Sequence, residues 1–232
     1  MTFKVILTGV TGRIGGEVLQ QCLKNASITL IVALTRRPLL NVEPDPKLEV
    51  VIMKDFTQYS DDVIAKLSGA DGCIWCMTTP NFEPALELEY PLAFAKAFSK
   101  TLAQHNKHFR YLHLTGMAVE RDQSKSLWLK GPMRKLKGKG EMQMIEVAKD
   151  PANSGLWETL IARPSGVVQG GTILGDVLVA MLGEKWTIRS DELALALVDM
   201  VMNGSEEQLV QAVQLLKRGQ ELMKTEEKIQ TG

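Results

Sequence analysis

The sequence predicts a doubly wound α/β domain built on a parallel sheet. Three observations predict it. Short apolar runs recur along the chain, amphipathic patterns of helical length separate them, and the runs are continuously hydrophobic, as strands covered on both faces must be. The chain has 232 residues, 45% of them hydrophobic and 23% charged, which is enough apolar material for a full core and too much for a disordered segment.

The first run, residues 4–8, ends in Thr8-Gly9-Val10-Thr11-Gly12-Arg13-Ile14-Gly15, and an amphipathic helix over residues 13–25 follows. Glycine at 9 permits a tight turn, glycine at 12 lets backbone approach a pyrophosphate, and glycine at 15 lets the helix pack close to the strand. The helix N-terminus then offers free N–H groups to a phosphate. Gly9, Thr11, Gly12, Arg13, Ile14 and Gly15 are therefore candidate dinucleotide-binding residues.

The second run, residues 28–34, leads into Thr35-Arg36-Arg37-Pro38. An NAD-specific site normally places Asp or Glu here for the ribose hydroxyls. Guanidinium groups cannot accept from a hydroxyl, but their charge and fork geometry suit a 2′-phosphate, so Arg36, Arg37 and Arg13 point to NADP(H). The competing reading of Arg36 and Arg37 is a pair of solvated loop charges. After the third run, residues 48–53, Asp55 and Phe56 could hold an adenine ring, or Asp55 could cap a turn.

A helix over residues 61–67 precedes the fourth run, residues 73–76, which carries Cys73 and Cys76. Positions three apart on a strand face opposite sides, and no further ligands cluster with them, so these are expected to be structural thiols with no metal. The three cysteines give no disulfide framework and fit a reducing compartment, so a cytoplasmic location is expected. Cys76, Met77 and Thr78, with Thr79 and Pro80, follow this strand where the cofactor diphosphate and ribose would lie.

A helix over residues 91–106 leads to the fifth run, residues 110–114, which closes at Thr115. His113 shares that strand face and reads as a core histidine deeper under the site. Residues 116–131 lack a period and read as a loop. A helix over residues 133–148 follows, and residues 121–139 hold seven basic side chains. The sixth run, residues 159–162, precedes Pro164, Ser165 and Gly166, expected beside the nicotinamide. Ser190 reads as the N-cap of a last well-bounded helix, with Asp191 and Glu192 in its first turn and Asn203-Gly204 as its stop. Residues 211–216 fit either strand or helix, and residues 225–232 are expected to fray.

Formal charge is zero and the pI is near 6.8, which argues against nucleic-acid binding; no apolar run approaches a bilayer-spanning length, and no signal peptide is evident. No internal repeat or linker divides the chain, so residues 1–232 read as one domain, with 163–190 and 205–232 as substrate-side and C-terminal extensions.

Residues 8–15, Thr35-Arg36-Arg37-Pro38, Lys54-Asp55-Phe56, Ile161-Ala162-Arg163-Pro164 and residues 188–194 resemble the atypical short-chain dehydrogenase/reductase group, and within it the NmrA-like and biliverdin-reductase-B-like proteins. The resemblance implies a Rossmann fold with NADP(H) at the carboxyl ends of the strands. It also implies that Thr115 stands where the family orients a substrate carbonyl and that Lys139 matches the family's catalytic lysine, with Lys135 at the tyrosine position. Thr115 could instead cap backbone, and Lys139 could be one charge on a solvated face. The Tyr-x-x-x-Lys motif itself is absent: four residues beyond Tyr59, Tyr90 and Tyr111 stand Val63, Phe94 and Thr115. The leading expectation is an NADP(H)-dependent oxidoreductase passing hydride to a small conjugated acceptor such as a flavin, quinone or aromatic natural product. A non-enzymatic NADP-binding regulator and a non-redox isomerase or cyclase are the alternatives. The expected partner is a small-molecule substrate, and homodimerisation stays open.

Overall fold

The computed structural model describes residues 2–40, 42–79, 81–153, 155–170 and 186–231. Its elements run β1 (Phe3–Thr8), α1 (Arg13–Lys24), β2 (Ile28–Thr35), β3 (Leu48–Ile52), α2 (Asp61–Leu67), β4 (Gly72–Trp75), a π-wound turn (Ala85–Glu89) continuing into α3 (Tyr90–His105), and β5 (Phe109–Leu114). Then come α4 (Gly131–Lys149), β6 (Trp157–Arg163), β7 (Gly166–Val168), β8 (Thr187–Arg189), α5 (Ser190–Asn203), β9 (Leu209–Gln211) and α6 (Ala212–Thr231). Seven strands form one sheet in the order β3-β2-β1-β4-β5-β6-β9, and every neighbouring pair is parallel. β7 and β8 pair separately.

Alternate residues of each strand feed two cores on opposite faces. Val5, Leu7, Ile31, Ala33 and Ile74 pack with Val18, Leu19 and Cys22 of α1 and with Leu193, Leu197 and Val201 of α5. Ile6, Val32, Cys73, Trp75 and Tyr111 pack with Phe94, Phe98 and Leu102 of α3 and Met144 of α4. Cys73 and Cys76 thus fall in different cores, as opposite strand faces require, and burial pushes the Cys76 thiol up to about 12. The chain winds outward from β1 to β3 in one direction and from β4 to β9 in the other, so a crevice opens at the carboxyl ends between β1 and β4.

Two local readings are corrected, and one left open is decided. Ser190 is the first helical residue and Arg189 is the N-cap. The Glu192 carboxylate accepts from the Arg189 N–H at 3.1 Å, while Ser190 Oγ accepts from the Gly170 N–H at 3.1 Å. The 211–216 segment is divided, since Gln211 ends β9 against Arg163 of β6 and Ala212 begins α6. Residues 225–231 continue α6 rather than fray, because extending a formed helix costs far less than starting one. Gly232 lies outside the described residues.

Candidate functional site

The glycine loop is fixed by close backbone approach. Gly9 has φ +68°, and a Cβ there would lie 2.6 Å from the Cys76 carbonyl oxygen; one on Gly15 would lie 2.3 Å from that of Gly9. Gly12 differs: its added Cβ would meet only the Gly9 oxygen, at 3.2 Å, and its other side is open. No side chain caps α1 and no acid stands in its first turn, so its N-terminal N–H groups face the crevice without a competing anion.

In front of this turn a cleft of about 360 Å³ is lined by Gly9, Val10, Thr11, Leu34, Thr35, Arg36, Arg37, Phe56 and Met77. Four separate segments meet there. Arg13, Arg36 and Arg37 are exposed. Among the described residues, none of their guanidinium groups has a hydrogen-bond or ion-pair partner. Thr35 fixes the turn, its hydroxyl donating to the Arg37 carbonyl at 2.9 Å.

Phe56 is buried at 1% exposure, tilted against Tyr90 and edge-on to Trp75, and forms the floor of the cleft. Asp55 is outside the lining. Its carboxylate accepts from the backbone N–H of Thr57 at 2.8 Å and from its hydroxyl at 2.7 Å, which closes a turn and holds the acid below its usual range. Cys76 contributes backbone under Gly9 rather than its buried thiol. Pro164 and Ser165 are buried and Gly166 is exposed, while Pro80 lies outside the described residues.

Beyond the cleft, the ends of β4, β5 and β6 carry a buried charged network. Glu141 of α4 is fully buried and receives the Thr115 hydroxyl at 2.7 Å, Arg121 Nε at 2.7 Å, and Arg163 through Nε at 2.8 Å and a terminal guanidinium nitrogen at 2.5 Å. Burial pushes its carboxyl up, but these bonds from Arg163, Thr115 and Arg121 outweigh it and hold the acid below its ordinary value. Beside it, Lys137 pairs with Glu87 of the π-wound turn at 2.7 Å and also donates to Thr78, whose own hydroxyl donates to Glu87 at 2.8 Å.

Lys139, for which the sequence leaves open both a catalytic role and a solvated-face charge, is exposed on the outer face of α4. Two residues along an α-helix rotate by about 200°, so Lys137 lies on the opposite, inner face. The inner face carries Lys137 and Glu141, four residues apart. The helix phase of Leu136, Gly140 and Met144 held that information. Glu87, Arg121 and Arg163 were missed because their partners lie 20 to 50 positions away.

Burial holds the Tyr59 and Tyr111 phenols well above their ordinary values, and Tyr111 is tied to His113 Nδ1 at 3.0 Å. His113 is a core residue, pushed down to about 4 by burial. A larger recess of about 640 Å³ opens at the amino-terminal edge of β5 and β6. Its arginines are already tied, Arg110 to Glu158 and Arg218 to Asp199, and it lies far from the switch point.

No family model matches the chain. A curated relative, "Leucinostatins biosynthesis cluster protein T" of Purpureocillium lilacinum, is 38% identical over 117 residues, which is 48% of this chain and 42% of that protein. The chain therefore matches less than half the length of that relative. Among solved structures, WbmF of Bordetella bronchiseptica in complex with NAD+ superposes with a TM-score of 0.61 at 15% identity, covering 94% of this chain and 78% of that one. Gre2 of Candida albicans in complex with NADPH superposes with a TM-score of 0.62 at 14% identity, covering 90% and 78%. The chain has a Rossmann-like α/β fold. Among the described residues no helix is long and apolar enough to cross a membrane, and no cluster of metal-binding side chains occurs.

Proposed function

We propose that the chain binds NADP(H) along the carboxyl ends of β1, β2 and β4 and transfers hydride to a small, planar, conjugated acceptor. The observation that carries this reading is the meeting of the uncapped α1 N-terminus with Arg36 and Arg37 around one cleft. The Gly9–Gly15 turn would hold the diphosphate, the two arginines a 2′-phosphate, and Phe56 and Met77 the apolar side of the adenosine. Bound reduced nicotinamide would supply the hydride.

Among the described residues no phenol stands beside it, since Tyr111 is buried in the core and Tyr59 packs against that core, and Lys137 on the inner face of α4 is committed to Glu87. A conjugated acceptor suits such a site, because it spreads the arriving charge and takes its proton from water. Ring positioning is then the main catalytic device. Phe82 and Trp128, 58% and 97% exposed, lie on the segments that leave β4 and β5 at their carboxyl ends and support an aromatic substrate. The relative's place in a leucinostatin cluster supports a natural-product acceptor.

Oxidation of NADPH, followed by loss of reduced-nicotinamide absorbance against a panel of flavins, quinones and ketones, tests the proposal. Turnover with a conjugated acceptor and not with simple ketones is expected. Tight NADPH binding with no turnover on any acceptor would favour a regulator that uses the nucleotide as a signal, a reading that the missing phenolic acid also supports.

A further inference from the structure

Three threonines stand just beyond β4 and β5, and each gives its one hydroxyl proton to a glutamate: Thr78 to Glu87 at 2.8 Å, Thr79 to Glu83 at 3.3 Å, and Thr115 to Glu141 at 2.7 Å. A hydroxyl has a single proton to donate and two lone pairs. Where that proton goes decides what the oxygen can offer a ligand.

Thr115 is the decisive case. Glu141 is fully buried and kept ionised by Arg163 and Arg121, so it can only accept. The second acceptor within reach, the Ala162 carbonyl at 3.4 Å, is longer and also points into the protein. A neutral carbonyl on a ligand would have to draw the proton away from a buried carboxylate, and charge-assisted bonds are roughly twice as strong as neutral ones. Thr78 also accepts from Lys137, which uses one of its lone pairs. Thr115 Oγ1 has no donor among the described residues, and the residue is partly exposed.

We propose that Thr115 is a hydrogen-bond acceptor toward the substrate, so the bound molecule presents a hydroxyl or N–H group there and not a carbonyl. Glu141 acts through Thr115 as a positioning residue, fixing the direction of its proton. This rests on the substrate-side reading of the crevice given above, and it narrows the acceptor to a hydroxylated or amino-bearing conjugated ring. It also reverses the role that the resemblance assigns to Thr115, since a threonine whose proton is committed inward cannot orient a carbonyl by donation.

The test compares two probes that differ in one donor, 2-naphthol and 2-methoxynaphthalene, by calorimetric titration at neutral pH into protein saturated with NADP+. A neutral hydrogen bond corresponds to about a 2- to 12-fold preference for the naphthol. Thr115→Val should bring the ratio close to one, and Thr115→Ser should keep it. Equal affinities in the wild type, a ratio that persists in Thr115→Val, or failure of both probes to bind would overturn the proposal. NADP+ is titrated alone into the same samples. If the nucleotide binds and the donor preference is absent, this inference falls while the nucleotide reading stands. If the nucleotide does not bind, that reading falls, and the same ratio measured on the free protein still decides the role of Thr115.

Discussion

Replacing Glu141 by Gln tests whether the buried network is held by charge. The side chain keeps its shape, but one of its two oxygens becomes an NH2 group that cannot accept from arginine. Arg163 donates to both Glu141 oxygens and Arg121 to one, so whichever oxygen is replaced Arg163 loses a bond, and both guanidinium groups lose the charge that pairs them. Leaving a buried charge unpaired costs about 3–5 kcal/mol. Arg121 is 29% exposed and can recover part of its hydration, whereas Arg163 is 11% exposed, which places the loss at the low end, about 3 kcal/mol. For a domain of this size that lowers Tm by about 6–12 °C. Thermal and urea unfolding measure it directly. Adding Arg163→Met should then cost less in the Glu141→Gln background than in the wild type, by about 1 kcal/mol or more. A loss below about 1 kcal/mol, or strict additivity of the two changes, would refute the account of the network.

The same carboxyl gives a pH dependence. Its folded value lies below the ordinary 4.5, so its stabilisation is present above that value and is lost as pH falls through the folded one; Glu141→Gln should flatten this acid limb. His113 acts over a higher window. Its value falls from 6.5 to about 4 on folding, so stability is full above 6.5 and declines by about 3 kcal/mol toward pH 4, a slope that His113→Asn should remove. Arg37→Ala should weaken NADPH by about 10- to 150-fold and leave NADH nearly unchanged; equal weakening of both would contradict the 2′-phosphate assignment. Gly12→Val should abolish binding of either nucleotide while circular dichroism stays native, because its added Cβ meets only one carbonyl oxygen, at 3.2 Å.

The sheet and the cradle were legible because both are written in local pattern. Continuous apolar runs identify strands covered on two faces, and within one turn Gly9 takes a positive φ and Gly15 packs against the Gly9 carbonyl. The charged network was not legible in the same way. Lys137 stands among seven basic residues and reads as one more solvated charge until Glu87, 50 positions earlier, is placed against it. Glu141 and Arg163 meet only when α4 packs on β6. Asp55 shows a different difficulty: of the two readings its sequence leaves open, the structure displays the turn, with the carboxylate accepting from Thr57. The inner face of α4 could have been found from helical phase, since Leu136, Met144 and Ile145 are buried and set which side of the helix is inside.

Calorimetric titration of NADP+ and NAD+ into the purified protein tests the central claim most directly. The account predicts that NADP+ binds at least about 10-fold more tightly, the contribution of one charge-assisted contact to the 2′-phosphate, and that the preference disappears when Arg36 and Arg37 are both changed to alanine. Equal affinity for the two nucleotides, or a preference that survives the double replacement, would contradict it.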